Sequence, residues 1–335
     1  MVTISNYSLE RLRDLATITP IAIFTYNRPA HTERLLSSLS QNELFLSSPL
    51  FFFCDGPEEV QGVSAVRDIV HKFWHPNKKI VARELNLGLA ESIISGVNSL
   101  LNDYGRVIVL EDDLVVSEQF LTFMCSALDF YKDVEPVMQI SGHSFENDPS
   151  RTQDYAVFLP FISSWGWGTW ERSWKKMDIH AKGWERLLLQ KKLRKDFDLS
   201  GAYPYTNILL AQQLGLNSSW AIRWNWSVFN ERGLVLYPPV TLVRNDGHDG
   251  SGTHCRDRGE LESSVLIAEV ALKFPSKNEL IVDPNYFARI QKAIQDSRGS
   301  SFQLPLIWAL DRLRFVRLCI KIYILKIKRS IFEKL

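Results

Sequence analysis

The segment "VIVLEDDLVV", Val107 to Val116, sets four apolar residues, three consecutive carboxylates and three more apolar residues in a row. The first four are aliphatic, too few for a helix, and without alternation. They read as a strand buried on both faces, the kind found inside a parallel sheet. Glu111, Asp112 and Asp113 then stand at its carboxyl end. Three neighbouring negative charges repel one another, and partial burial makes each harder to ionise. Such a cluster calls for a positive partner.

Working outward, the same layout recurs. Apolar strands are expected at 20–26, 49–55, 78–84 and 106–110, each followed by a segment of helical spacing. Pro29 suits the first turn of the first helix, Gly105 closes the third, and Ser117 reads as the N-cap of the fourth. Repeated βα units imply an α/β fold, a mostly parallel sheet flanked by helices. Ligands of such sheets gather at the carboxyl ends of the strands. Asn27-Arg28, Asp55-Gly56, Asn86 with Gly88, and the three acids all fall there.

After residue 137 the pattern loosens. Further strands are expected at 137–145, 155–163 and 233–243, and helices at 182–197 and 201–215. Between them lie two tryptophan-rich stretches, "SSWGWGTWERSW" (163–174) and "SSWAIRWNWSVF" (218–229), and then a glycine-rich loop, "RNDGHDGSGTHC" (244–255). No internal repeat interrupts the chain.

The 335 residues are enough for one large or two modest domains. Apolar residues at 45% and charged ones at 23% are ordinary for a soluble globular protein, and a net charge of +1 argues against nucleic acid as a partner. The average hides an asymmetry. Residues 301–335 hold eight Lys/Arg against two Asp/Glu, so this tail carries +6 and the remainder −5. Cys54, Cys125, Cys255 and Cys319 have no paired spacing, which suits free thiols in a reducing compartment. Neither a secretory signal layout nor a spanning stretch is visible, so a cytoplasmic protein is expected.

Hard divalent cations prefer oxygen, and magnesium or manganese typically takes one or two carboxylates plus substrate phosphates. The acidic triplet therefore reads as a Mn2+ or Mg2+ site facing a diphosphate, the plainer alternative being an acid that opens the next helix. Four stretches, "TPIAIFTYNRPAHTERLL", "FFFCDG", "ELNLGLAESI" and "VIVLEDDLVVSEQFLTFM", taken in this order, resemble the nucleotide-sugar-dependent glycosyltransferases of the GT-A fold. The resemblance is to the N-acetylglucosaminyltransferase I type and to bacterial family 2 enzymes of surface-polysaccharide assembly, over residues 18–255. It implies a Rossmann-like GT-A sheet and a nucleoside-diphosphate sugar donor, in particular a UDP-sugar. It further implies that Asp113 contacts the metal, Glu111 and Asp112 lie beside the nucleotide, Asp55 reads the base and Arg28 approaches the phosphates. Asn86 and Gly88, on the same rim, complete the donor-binding set.

Trp165 and Trp167 are expected to face a sugar or acceptor pocket, since tryptophan offers a rigid ring with a donor at its edge, whereas Trp174 is assigned to the core. The loop with Gly247, Gly250 and Gly252 reads as a lid, and His248 or His254 could join the metal. Inverting transfer needs a general base, and the resemblance puts it near the second tryptophan stretch, which holds no acid before Glu231. Glu171, Asp246 and Asp249 are the remaining candidates. Residues 304–335 read as an amphipathic basic helix lying on an anionic membrane surface. The expected organisation is an extension to residue 17, the transferase domain over 18–255, a helical extension over 256–300 and the basic tail over 301–335. The expected activity is sugar transfer to a glycan or lipid-linked glycan acceptor, at the inner face of the membrane. A sugar nucleotidyltransferase and a catalytically inactive nucleotide-sugar-binding scaffold are the rival readings. "TYNRPAH" lacks the glycine-rich phosphate loop the first would need.

Overall fold

The computed structural model describes residues 2–3, 8–57, 60–145, 154–247, 273–299 and 303–332. Its strands are β1 (Val2–Thr3), β2 (Ile21–Thr25), β3 (Leu50–Cys54), β4 (Lys78–Ala82), β5 (Arg106–Glu111), β6 (Leu114–Val116), β7 (Val137–Ser141), β8 (Val157–Leu159), β9 (Trp167–Trp170), β10 (Leu234–Tyr237), β11 (Val243–Asn245) and β12 (Lys273–Phe274). The first six helices are α1 (Leu9–Thr17), α2 (Pro29–Leu39), α3 (Val63–Lys72), α4 (Leu89–Tyr104), α5 (Phe120–Phe130) and α6 (Glu171–Trp174). The remaining six are α7 (Arg186–Leu189), α8 (Lys191–Phe197), α9 (Tyr205–Gln213), α10 (Trp220–Asn230), α11 (Pro284–Ser297) and α12 (Leu304–Phe332).

Eight strands form one sheet in the order β4-β3-β2-β5-β9-β7-β10-β8. β2, β3, β4, β5, β7 and β10 run one way, and β9 and β8 run against them. The expected α/β architecture, a mostly parallel sheet between helices, is present. Every residue of β2 and β3 is buried, as an unbroken apolar run requires when helices cover both faces. β4 is the edge strand and accordingly carries Lys78 and Lys79; the Lys78 ammonium donates to the carbonyls of Val70 and His71, closing the end of α3. On one face α1, α2, α3 and α5 bury Leu15, Leu35, Val66 and Phe120. On the other α4, α10 and α11 bury Ile93, Val97, Trp220, Trp224, Tyr286 and Ile290. α4 lies close on the sheet because position 96 is glycine: a Cβ there would sit 2.8 Å from the Phe24 ring, itself stacked on Phe53 at 4.9 Å.

Several expectations need correcting. "WGTW" (167–170) is the central strand β9, wedged between β5 and β7. Trp167 is fully buried, its ring stacked on Trp220 at 4.7 Å and Trp174 at 5.5 Å, so it belongs to the core and offers no face to a sugar. Ser117 does not cap a helix. Residues 114–116 are strand β6, and α5 begins only at Phe120, after Gln119. The expected helix over 182–197 is two short ones, α7 and α8, broken at Gln190.

Candidate active site

The parallel strands deliver their carboxyl ends to one rim. From β2 come Tyr26, Asn27 and Arg28; from β3, Asp55; from β5, Glu111 to Asp113; from β7, Gly142 and His143. Arg28 precedes Pro29 at the start of α2, and its Nη1 lies 3.0 Å from Asp113 Oδ2, with both side chains about 15% exposed. This is the positive partner that the acidic triplet calls for. One guanidinium does not balance three carboxylates. Asp112, whose Oδ2 accepts from the Tyr26 N–H at 3.3 Å, is pushed up to about 7, first by burial and then by Asp113, with Arg28 opposing. Glu111 lies deep among protein atoms while keeping part of its surface open, and burial followed by Asp113 and Asp112 drives it well above the usual carboxylate range. The rim is short of positive charge.

A second layer of chain closes over Asp113. β6 pairs antiparallel with β11, Leu114 opposite Asn245, and the Asp246 N–H donates to the Asp113 carbonyl at 2.8 Å. A Cβ at Gly247 would fall 2.3 Å from Asp113 Oδ2, so only glycine lets the backbone pass across this carboxylate. The Asp246 carboxylate accepts two bonds from Arg244, at 2.6 and 3.1 Å, with Arg34 at 3.7 Å. His31, on the first turn of α2, stands 3.3 Å from the Asp246 carbonyl through Nε2. Sequence reasoning passed over His31. Its place three residues after Arg28, at the start of the helix following the first strand, was the available signal.

Asp55, Asn86 and Gly88 also come together. Asp55 is buried and accepts from the Leu87 N–H at 3.0 Å, the Gly88 N–H at 3.1 Å and the Gly56 N–H at 3.3 Å, while Asn86 Oδ1 takes a further bond from the Gly88 N–H at 2.7 Å. Gly88 has φ +75°, a conformation that permits this turn before α4. Asp55 thus fixes the loop that borders the rim.

Glu171 is not at this site. It follows β9, which runs against β5, and its N–H donates to the Gly105 carbonyl at the start of β5. Six residues of strand separate it from Glu111, about 20 Å at 3.3 Å per residue, and its carboxylate pairs with Lys175. As a base it is excluded. Asp249, His248 and His254 lie outside the described residues.

His143, which follows β7 on this rim, also lines a cavity of about 320 Å³. Phe145, Trp165, Tyr203, Tyr205, Ile208 and Ile294 share that lining. Trp165 is half-buried there, its ring 4.6 Å from that of His143. His143, another residue the sequence reading missed, holds Nδ1 3.1 Å from Thr241 Oγ1, and burial lowers it to about 3, leaving the imidazole neutral at ordinary pH.

No family model and no curated protein matches this chain. Solved structures do, at low similarity. The mannosyltransferase PcManGT from Pyrobaculum calidifontis, in complex with GDP-Man and Mn2+, is 15% identical with a TM-score of 0.32 over 45% of this chain and 44% of that one. GalNAc-T7 with UDP, GalNAc and Mn2+ is 11% identical with a TM-score of 0.42 over 68% of this chain and 43% of that one. The chain spans less than half the length of either. At such values the function has to be read from the site itself.

The acidic triplet offers oxygen donors, which fit a hard divalent cation and not a soft one. Among the described residues no three His, Cys, Asp or Glu side chains are grouped to hold an ion unaided. A cation held at this rim would draw one or two carboxylates from the chain, with Asp113 and Asp112 the residues placed to supply them, and would leave its remaining positions to phosphate oxygens, as magnesium-type sites commonly do.

Proposed function

We propose that this chain is a glycosyltransferase that takes a sugar from a nucleoside-diphosphate donor, with a divalent cation at the rim, and passes it to an acceptor hydroxyl entering from the 320 Å³ cavity. The observation that carries this reading is the rim itself. Two strand ends, Arg28 after β2 and Glu111 to Asp113 at the end of β5, put a guanidinium and three carboxylates together, two of which, Glu111 and Asp112, burial makes hard to ionise. A cation with a diphosphate satisfies both: the carboxylates gain positive charge and Arg28 gains phosphate oxygens in the planar geometry it favours. Bound there, the cation would neutralise charge developing on the departing diphosphate.

The chain's own residues do the rest. Arg28 would hold the diphosphate, and Gly247 would let the segment after β11 lie flat on Asp113. The loop fixed by Asp55 would flank the nucleotide, which we take to be UDP. Trp165 and the cavity would orient the acceptor and exclude water, so that attack at the anomeric carbon comes from the face opposite the diphosphate, with inversion. Asp246 is the base candidate that lies at this rim among the described residues. Its two bonds from Arg244 hold the carboxylate in place, and acceptor binding has to loosen them before it can take a proton.

Thermal unfolding with Mn2+ and a panel of nucleotide sugars tests the reading. A donor that binds the folded chain raises the midpoint by mass action, by about 2.7 kcal/mol of stabilisation at a hundredfold excess over its dissociation constant. Asp113→Asn should erase the metal-dependent part. If no nucleotide sugar moves the midpoint, with or without Mn2+, the transferase reading fails.

A further inference from the structure

α12 has two faces of opposite meaning. One docks: Leu318 and Ile322 are buried against Leu210 and Ala211 of α9, with Phe315 and Cys319 beside them. Asp311 is tied down from both sides, its carboxylate by Arg298 and its carbonyl by the Asn207 amide. Half a turn round the helix, the residues that point away from the domain are also apolar. Leu306, Leu313 and Ile320 recur every seventh position, joined by Val316 and Ile324, and they are 45–64% exposed. A helix apolar on both its docked and its outward face is not finished by the contacts within this chain.

The charges say what completes it. Arg314, Arg317 and Lys321 line one flank of the outward stripe and Arg312 the other, all exposed and, among the described residues, without an ion pair. The one acid of this helix within the described residues, Asp311, faces inward to Arg298. The remainder of the chain is net negative, so this helix is where an anionic surface would be met with attraction. A second copy would bring cationic flank to cationic flank. Among the described residues no helix is long and apolar enough to cross a membrane, so the helix would lie along the surface and not through it.

We infer that α12 is an interfacial helix that seats the protein on anionic lipid. Leu306, Leu313, Val316, Ile320 and Ile324 enter the acyl boundary while the arginines and Lys321 extend sideways to headgroup phosphates. α9 then becomes a spacer. One side of it carries Leu210 and Ala211 against α12, and the other carries Tyr205 and Ile208 into the wall of the 320 Å³ cavity. Packed helices stand about 10 Å apart, so the cavity lies roughly one helix behind the headgroups. Resting on the transferase reading, this makes the acceptor a molecule presented from the plane of the membrane.

Vesicle co-sedimentation of the full chain tests it without donor or metal. Binding to vesicles containing phosphatidylglycerol is expected, with at least tenfold weaker binding to pure phosphatidylcholine. Leu313→Glu with Ile320→Glu, both pointing away from the domain, should reduce it at least tenfold with an unchanged circular dichroism spectrum and melting midpoint. Arg314→Glu with Arg317→Glu should reduce it similarly and remove its sensitivity to salt. Undiminished binding in either pair overturns the inference. So does a concentration-dependent dimer that the Leu313→Glu, Ile320→Glu pair dissolves while vesicle binding is absent throughout. Donor-induced stabilisation in the same variants is read separately: its persistence when vesicle binding is lost leaves the transferase reading standing, and its absence in wild type counts against that reading alone.

Discussion

Gly247 shows how one missing methyl can govern a site. Just past the end of the β6–β11 ladder, the Asp113 side chain occupies the space a side chain at 247 would need, with Oδ2 2.3 Å from the ideal Cβ position. Gly247→Ala is expected to cost about 1–3 kcal/mol by overpacking, and to weaken Mn2+-dependent donor stabilisation by displacing the carboxylate. A variant with wild-type stability and wild-type donor response would show that the segment does not press on Asp113. His143 makes a second residue-scale test, through pH. Burial lowers its imidazole to about 3, from 6.5 in the unfolded chain. Between those values the unfolded chain binds a proton the folded one refuses, so stability falls as pH drops, by up to about 1.4 kcal/mol per unit. Asp112, raised from 3.8 to about 7, has the opposite sign: the folded chain keeps a proton the unfolded one has shed, and stability falls as pH rises through that window. Where the windows overlap the two slopes oppose each other, so wild type alone is uninformative. Urea titrations of wild type and His143→Gln at pH 4 to 6.5 isolate the imidazole, and the variant should lose less stability on acidification. At this scale the acids were legible because a helix start needs one acid, and three carboxylates interrupting an apolar run exceed that need. His31 and His143 were not, since a single histidine at a helix start or after a strand forms no pattern.

Among the elements, the parallel strands were readable because a strand buried on both faces leaves an uninterrupted aliphatic run, and β2, β3 and β5 each did. β9 was hidden by the same physics in another alphabet. Its four residues are all buried, so there is no alternation, and Trp167, two residues after Trp165, reads as facing a ligand until the flanking strands are known. Gly168 is there because Met124, Leu128 and the Val107 carbonyl crowd within about 3.1 Å of any Cβ. β6 was lost for a different reason: three residues are too few for periodicity, and a serine at position 117 imitates a helix start. The distinction between the tryptophans is measurable. Trp167→Ala should cost about 3–5 kcal/mol by chemical denaturation, whereas Trp165→Ala, half-exposed at the cavity mouth, should cost about 1 kcal/mol and instead raise the KM for acceptor. Equal costs would mean that Trp165 is as much a core residue as Trp167.

Over the whole molecule, stability is unevenly spread. The sheet strands are buried on both sides. α12 is held on α9 chiefly by Leu318 and Ile322, worth about 1.5–3 kcal/mol apiece. Native-state hydrogen exchange should therefore show the amides of α12 opening well below the global unfolding free energy, with β2, β3 and β5 last. Exchange of α12 together with the sheet would mean that the helix is an integral part of the fold. The charge split that the sequence displayed along the chain is, in three dimensions, a split between the body and this loosely held helix.

The ladder between β6 and β11 joins segments more than a hundred residues apart, and it is what lays Asp246 and Gly247 over Asp113. Closing so long a loop carries an entropic penalty that nearby contacts cannot reward in advance. During synthesis the acids at the end of β5 emerge well before the segment that covers Asp113. The cover over Asp113 therefore depends on a segment that the chain supplies more than a hundred residues later, and a chain that stops before β11 lacks it.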